Sequence, residues 1–106
     1  MTIEERHPWH TDQMDALLDA IMSLKNRAEL RDFLRDLCTL SELEAMAHRW
    51  EVARLVDEGV PYLEISKRTG ASTATVTRVA RWVRHGEEGY RVALDHLEAR
   101  RRKTRA

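Results

Sequence analysis

Apolar side chains recur every three or four residues along most of this chain, and this spacing is typical of amphipathic helices. A first stripe follows Asp12, and a second follows Asn26. Ser41 followed by Glu44 has the spacing of a capping box, in which each side chain bonds the other residue's backbone amide. This pair predicts a third helix that begins at Ser41 and ends at Gly59.

The third predicted helix is apolar over more than half of its circumference. Its apolar residues are Leu43, Ala45, Met46, Ala47, Trp50, Val52, Ala53, Leu55 and Val56. A helix of this kind needs cover on two sides, and we expect one cover from the first two helices and the other from a second subunit. Trp50 and Trp82 are predicted to anchor the core, with stacking on a partner or a base as the alternative for Trp82.

Three further helices are predicted in the second half of the chain. Pro61 suits the first turn of a short fourth helix, because proline lacks the N–H that would be unpaired there. Gly70 can end that helix in the left-handed conformation, and Ser72 can cap a fifth helix that begins at Thr73. Gly86 ends the fifth helix, and a sixth follows it.

A chain of 106 residues with four Gly and two Pro is expected to form one all-α domain of about six helices. Its predicted organisation is a loosely ordered arm (1–11), dimerisation helices (12–60), a helix-turn-helix (61–84), a C-terminal helix (87–99) and a basic tail (100–106). So small a domain buries a modest share of its surface, which favours a homodimer.

Residues 61 to 81 have the spacing of a helix-turn-helix. Two helices that cross on a short turn need a residue free to adopt positive φ at the corner, here Gly70, and a small residue at their contact, here Ser66. Ile65, Val76 and Val79 lie where apolar side chains would hold the second helix against the first.

The charges are segregated although the formal net charge is zero. Residues 1–64 carry 14 acidic and 7 basic side chains, whereas residues 65–106 carry 4 acidic and 11 basic ones. No acid lies between Glu64 and Glu87. A basic face free of acids is typical of a protein that binds a polyanion, although a charge run is also often plain solvated surface.

The exposed face of the fifth helix is predicted to be small, polar and cationic, as a helix that lies in a DNA major groove must be. Recognition of the DNA base sequence is assigned to Thr73, Ala74, Thr77, Arg78 and Arg81, with Ser72 at the helix start. Phosphate attraction is assigned to Lys67, Arg68 and Arg84, and the basic tail (100–106) is interpreted either as a further source of it or as solvated surface. The competing interpretation is an ordinary helix pair with solvated arginines.

Other chemistry finds little support in the sequence. The chain holds one cysteine, Cys38, so no internal disulfide can form, and no nucleophile, base and orienting group can be assigned together. His7 and His10 lack nearby ligands for a metal. We therefore expect no enzyme activity, no catalytic or metal site and no cofactor, and no membrane segment or signal peptide. A cytoplasmic location is the corresponding expectation.

Two segments, LSELEAMAHRW (40–50) and ISKRTGASTATVTR (65–78), resemble the Trp repressor superfamily, and most closely its YerC/YecD-type branch. The resemblance extends over roughly residues 12–95. It implies six helices per subunit, an intertwined homodimer and a helix-turn-helix directed at successive major grooves.

The same resemblance implies an effector site. In tryptophan-responsive members, the effector is framed by residues that correspond to Arg49, Thr75 and Arg78. His48 replaces Arg49 if the alignment shifts by one residue, and Arg49 is otherwise interpreted as a salt-bridged structural residue. Those members carry a glycine where this chain has Val79, whose branched side chain would fill the space of the indole. A small-molecule effector other than tryptophan is therefore the expectation, if the chain binds one.

These features together predict a homodimeric transcriptional regulator that binds double-stranded DNA through a helix-turn-helix. The resemblance suggests a repressor, with activation as the alternative outcome. The alternative is a helical protein-interaction module whose basic face docks an acidic partner. An RNA-binding role is disfavoured, because residues 61–81 offer only Tyr62 for stacking on bases.

Overall fold

The computed structural model describes residues 7–105, which form six α-helices and no strand. The helices are α1 (Asp12–Ser23), α2 (Arg27–Leu37), α3 (Leu40–Asp57), α4 (Tyr62–Thr69), α5 (Thr73–His85) and α6 (Gly89–Arg105). The prediction of an all-α fold of six helices is confirmed. Of the predicted arm, residues 1–6 lie outside the described part of the chain. Residues 7–10 form a turn in which the His10 amide donates to the His7 carbonyl at 2.9 Å.

Polar side chains cap the helices near the positions that the sequence predicts. The side chain of Asn26 accepts from the Glu29 amide at 2.9 Å, and the Glu29 carboxylate accepts from the Lys25 amide at 2.9 Å. The predicted start of α3 was wrong, because the helix begins at Leu40 and Ser41 lies inside its first turn. Thr39 and Glu42 have the same cap-then-acid spacing two residues earlier, so the sequence contains two overlapping signals.

The predicted single domain divides into two compact units, Met1–Leu40 and Ser41–Ala106. In the first unit, neither α1 nor α2 contains a buried residue, and Met22 is 82% exposed. Two short helices are too few to enclose a core, and this is the physical reason for the division.

The second unit has a core built from α3, α4, α5 and α6, together with the α4–α5 turn. Its buried apolar residues are Val52, Ala53, Leu55, Val56, Ile65, Ala71, Val76, Val79, Ala80, Val83 and Leu94. Trp50 packs partly buried against this core, whereas Trp82 is 42% exposed. The prediction of Trp82 as a core anchor was wrong, because the buried stripe of α5 runs through the neighbouring positions 79, 80 and 83.

The C-terminal helix is longer than predicted. It continues through Arg105, so the described residues of the predicted basic tail are its last turns. Glu98 reaches Arg101 at 3.5 Å and Arg102 at 3.6 Å along the helix. Arginine and lysine also have high intrinsic helix propensity, and both effects extend the helix.

Within residues 7–105, no helix combines the length and the apolar character needed to cross a lipid bilayer.

Candidate nucleic-acid interface

The corner between α4 and α5 is formed by a glycine in the left-handed conformation. Gly70 has φ +79° and ψ −1°, and its amide donates to the Ser66 carbonyl at 2.9 Å. A residue with a Cβ pays a penalty in this region, whereas glycine adopts it freely. The geometry confirms the predicted role of Gly70 as the corner residue.

Side-chain hydrogen bonds reinforce this corner in a way that the sequence pattern did not indicate. Ser66 Oγ donates to the Ala71 carbonyl at 2.6 Å, and Thr69 Oγ1 donates to the Ile65 carbonyl at 2.7 Å. The Ala71 amide in turn donates to Thr69 Oγ1 at 3.2 Å. The small side chain of Ser66 therefore ties the end of α4 to the segment that leads into α5.

The back of α5 is anchored in the core of the second unit. Val76 and Val79 are fully buried, and Ile65 of α4 is buried with them. Each such side chain contributes about 1.5–3 kcal/mol by leaving water. The predicted apolar contact between the two helices is confirmed, and α5 is held rigidly with its opposite face in solvent.

A bond from α3 adds a third support. Nε2 of His48 donates to the Thr69 carbonyl at 2.6 Å, at the C-terminal end of α4. The last carbonyls of a helix have no intrahelical partners, so the ring N–H of His48 supplies a hydrogen bond that the end of α4 lacks. The sequence singled out His48 as a substitute for Arg49 at an effector site, and nothing in the pattern signalled this contact between residues 21 positions apart.

The outer face of α5 lies in solvent. The exposed residues are Ser72, Thr73, Ala74, Thr77, Arg78, Arg81 and Arg84, and Lys67 and Arg68 of α4 are exposed as well. All nine residues assigned to DNA from the sequence are thus accessible. Their exposure to solvent agrees with the assignment, while their contact with DNA stays a prediction.

Two hydroxyl groups on this face already donate hydrogen bonds within the protein. Ser72 Oγ accepts from the Thr75 amide at 3.1 Å and donates to Thr75 Oγ1 at 3.0 Å, so it caps α5. Thr77 Oγ1 donates to the Thr73 carbonyl at 2.9 Å. In this geometry both oxygens can only accept further bonds, which suits an amino group on a base better than a phosphate.

The cations of the helix-turn-helix are unpaired. In the part of the chain that the structure describes, five basic side chains of α4 and α5 form neither an ion pair nor a side-chain hydrogen bond. They are Lys67, Arg68, Arg78, Arg81 and Arg84. The surface keeps its positive charge for an anionic partner.

Two arginines on the neighbouring helices, Arg91 on α6 and Arg54 on α3, are paired with carboxylates by contrast. Arg91 contacts Asp57 at 2.8 Å and Asp95 at 2.9 Å, and these hydrogen-bonded carboxylates raise the pKa of Arg91 above its usual value. Glu51 raises the pKa of Arg54 in the same way, by a hydrogen bond at 2.8 Å. Positive charge is therefore free on α4 and α5 and compensated at these two positions.

The three residues that the family resemblance assigns to an effector site have different surroundings. Arg49 is exposed and forms no ion pair with any residue in 7–105, so its interpretation as a salt-bridged structural residue was wrong. Thr75 is half-buried and bonded to Ser72, while Arg78 is exposed. The side chain of Val79 is turned fully into the core.

Comparisons with known proteins place these features in a family context. Residues 12–98 match the family described as Trp repressor protein. The chain is 44% identical over 86 residues to the uncharacterized protein YerC of Bacillus subtilis (strain 168), covering 81% of this chain and 83% of that protein.

Solved structures agree with this result. A crystal structure of a TrpR-like protein from Eubacterium eligens superimposes with a TM-score of 0.79 at 40% identity, covering 84% of this chain and 92% of that one. A second structure, from Staphylococcus aureus, has a TM-score of 0.78 at 38% identity and covers 84% and 89% of the two chains.

Proposed function

We propose that this chain, which belongs to the Trp repressor family, is a transcriptional regulator that binds double-stranded DNA as a homodimer with α5 in the major groove. One observation carries the proposal. The outer face of α5 is small, polar and cationic, its arginines are unpaired, and its back is fixed in the core.

The interaction divides into two contributions. Lys67, Arg68 and Arg84 attract phosphates of any sequence, and their effect falls steeply with salt because counterions are released on binding. Thr73, Ala74, Thr77, Arg78 and Arg81 on the outer face of α5 read base edges, and a bidentate arginine–guanine pair discriminates by about 1–3 kcal/mol against a wrong base.

A homodimer is supported by apolar surface that the single chain leaves in water. Met22 on α1, Leu37 on α2, and Leu40 and Met46 on α3 are all between 38% and 82% exposed. Because α1 and α2 bury no residue within one chain, their apolar side chains are available for a second copy to cover. With a twofold axis, two copies of α5 would address a palindromic site.

Tryptophan is not part of the proposal as an effector. Val79 has a branched side chain that belongs to the core, and the space a glycine would leave beside the recognition helix is absent at this position. Any effector of this chain would therefore be chemically different from tryptophan.

Selection of bound duplexes from a random pool at a stated salt concentration tests the proposal. We expect enrichment of a palindromic sequence, and binding of the selected duplex at least about 10³-fold tighter than of a scrambled one. Arg54→Gln serves as a control, because Arg54 lies on α3 with its charge already paired to Glu51, and this change should leave both affinities unchanged.

Two outcomes would contradict the proposed function. A dimeric, folded chain that binds no duplex even at low salt would refute DNA binding, and would favour the alternative in which the basic face docks an acidic protein. Binding with no preference among sequences would refute the assignment of base reading to α5.

A further inference from the structure

A second surface of the molecule has the composition of a cation site. A cleft of about 530 Å³ opens between α3, α5 and the start of α6, and is lined by Trp50, Trp82, Gly86, Glu87, Gly89 and Tyr90. Three of its six lining residues are aromatic, in a chain with few aromatic residues. None of the residues assigned to DNA or implied as an effector frame lines it.

The aromatic walls are held in place by the fold. Trp50 and Tyr90 stack with ring centroids 6.2 Å apart and planes inclined by 11°, and both pack against the core. Trp82 stands on α5, where it is 42% exposed and leaves an indole surface in the cleft. Aromatic faces carry negative electrostatic potential and attract cations, tryptophan most strongly.

The turn after α5 brings a carboxylate to these rings. The Gly86 amide donates to the Trp82 carbonyl at 2.9 Å, and a Cβ at Gly86 would lie 2.6 Å from that oxygen. This close turn requires glycine and positions Glu87 on the rim of the cleft. Glu87 forms no ion pair with another residue of 7–105, and neither lysine nor arginine lines the cleft.

We propose that the cleft between Trp50, Trp82 and Tyr90 binds a small organic ammonium ion, with the aromatic faces against its alkyl groups and Glu87 balancing its charge. Aromatic walls with one unpaired carboxylate favour a cation whose charge is spread over methyl groups, because such an ion loses little hydration on entering. A free anion or a phosphate would meet Glu87 and no basic group.

The test compares choline with its neutral isostere, 3,3-dimethylbutan-1-ol, on the full chain without DNA. Binding is followed through the methyl resonance of the ligand, so that tryptophan substitutions do not remove the signal. We expect saturable binding of choline in the millimolar range, at constant ionic strength, and at least about tenfold weaker binding of the neutral isostere.

Three variants locate the site. Trp82→Leu keeps apolar bulk but removes the aromatic face, and should weaken choline binding about tenfold; Trp82 is partly exposed, so the variant should fold. Glu87→Gln should weaken it about threefold. Glu88→Gln is the matched control, because Glu88 is the adjacent carboxylate and does not line this cleft, and it should bind as the parent chain does.

Each contrary result overturns the inference. Equal binding of choline and the neutral isostere would show an apolar cleft without cation preference. Unchanged binding in Trp82→Leu would place the ion elsewhere. Absence of choline binding to the folded chain would refute the site and would leave the proposed DNA binding untouched.

Discussion

Neighbouring side chains on α5 differ in exposure: some are buried in the core and others face solvent. The helical period places the two sets on opposite sides of the helix. Val79 is fully buried and Arg78, the residue before it, is exposed. Successive residues of a helix point about 100° apart, so a stripe of valines can anchor the helix while the arginines face outward. Arg81 lies on the same outer side, with a guanidinium that has no protein partner among the described residues.

Arg81→Ala is expected to relax sequence preference rather than general affinity. Losing a bidentate contact to guanine should cost about 1–3 kcal/mol on the selected duplex and much less on a scrambled duplex. Titrations of both duplexes at one salt concentration measure the difference. Equal losses on the two duplexes would mean that Arg81 contacts phosphate.

Lys67→Ala should weaken all duplexes alike. Lys67 is exposed on α4 without an ion pair in 7–105, and it is assigned to phosphate. Each subunit of the proposed dimer loses one phosphate contact, so the slope of log affinity against log salt should fall by about 0.9 per subunit. The slope is obtained from affinities at several salt concentrations, and a slope identical to that of the parent chain would exclude Lys67 from the interface.

At the level of helices, the α4–α5 corner depends on backbone conformation. Gly70→Ala places a Cβ on a residue with φ +79°, although no atom lies within 4 Å of that Cβ. The expected cost is therefore purely conformational, about 1–2 kcal/mol of unfolding free energy, measured by denaturant titration. Gly89→Ala is the control, since Gly89 begins α6 with open space around it, and this change should be neutral or slightly stabilising. Equal stabilities of the two variants would contradict the strain argument.

For the assembly as a whole, the proposed twofold symmetry fixes the phase of the DNA site. Half-sites should lie about 34–36 Å apart, one helical turn, or a multiple of that distance. Inserting about 5 base pairs between half-sites should therefore weaken binding far more than inserting about 10. Gel-shift titrations with the chain-to-duplex ratio measured give the answer. A ratio of one chain per duplex, with no dependence on spacing, would refute the dimeric arrangement.

The predictions from the amino-acid sequence that were wrong have identifiable physical causes. A large aromatic residue such as Trp82 is usually expected in the core. Its position on α5 is next to the buried stripe but not part of it, so Trp82 is partly exposed. Ser41 belongs to one of two overlapping cap signals, and local sequence does not rank them. A periodic pattern also does not show what covers an apolar stripe, and α1 and α2 bury no residue within one chain.

Local information was sufficient for the six helices, for the glycine corner and for the two faces of α5. These features depend on the period of apolar residues and on the conformational freedom of single residues, both of which can be read along the chain. Contacts between distant residues could not be read in this way. The bond from His48 to Thr69 arises only when α3 packs against the end of α4, and Trp50, Trp82 and Tyr90 meet only when α3, α5 and α6 pack together. Packing brings together side chains that no periodic pattern relates.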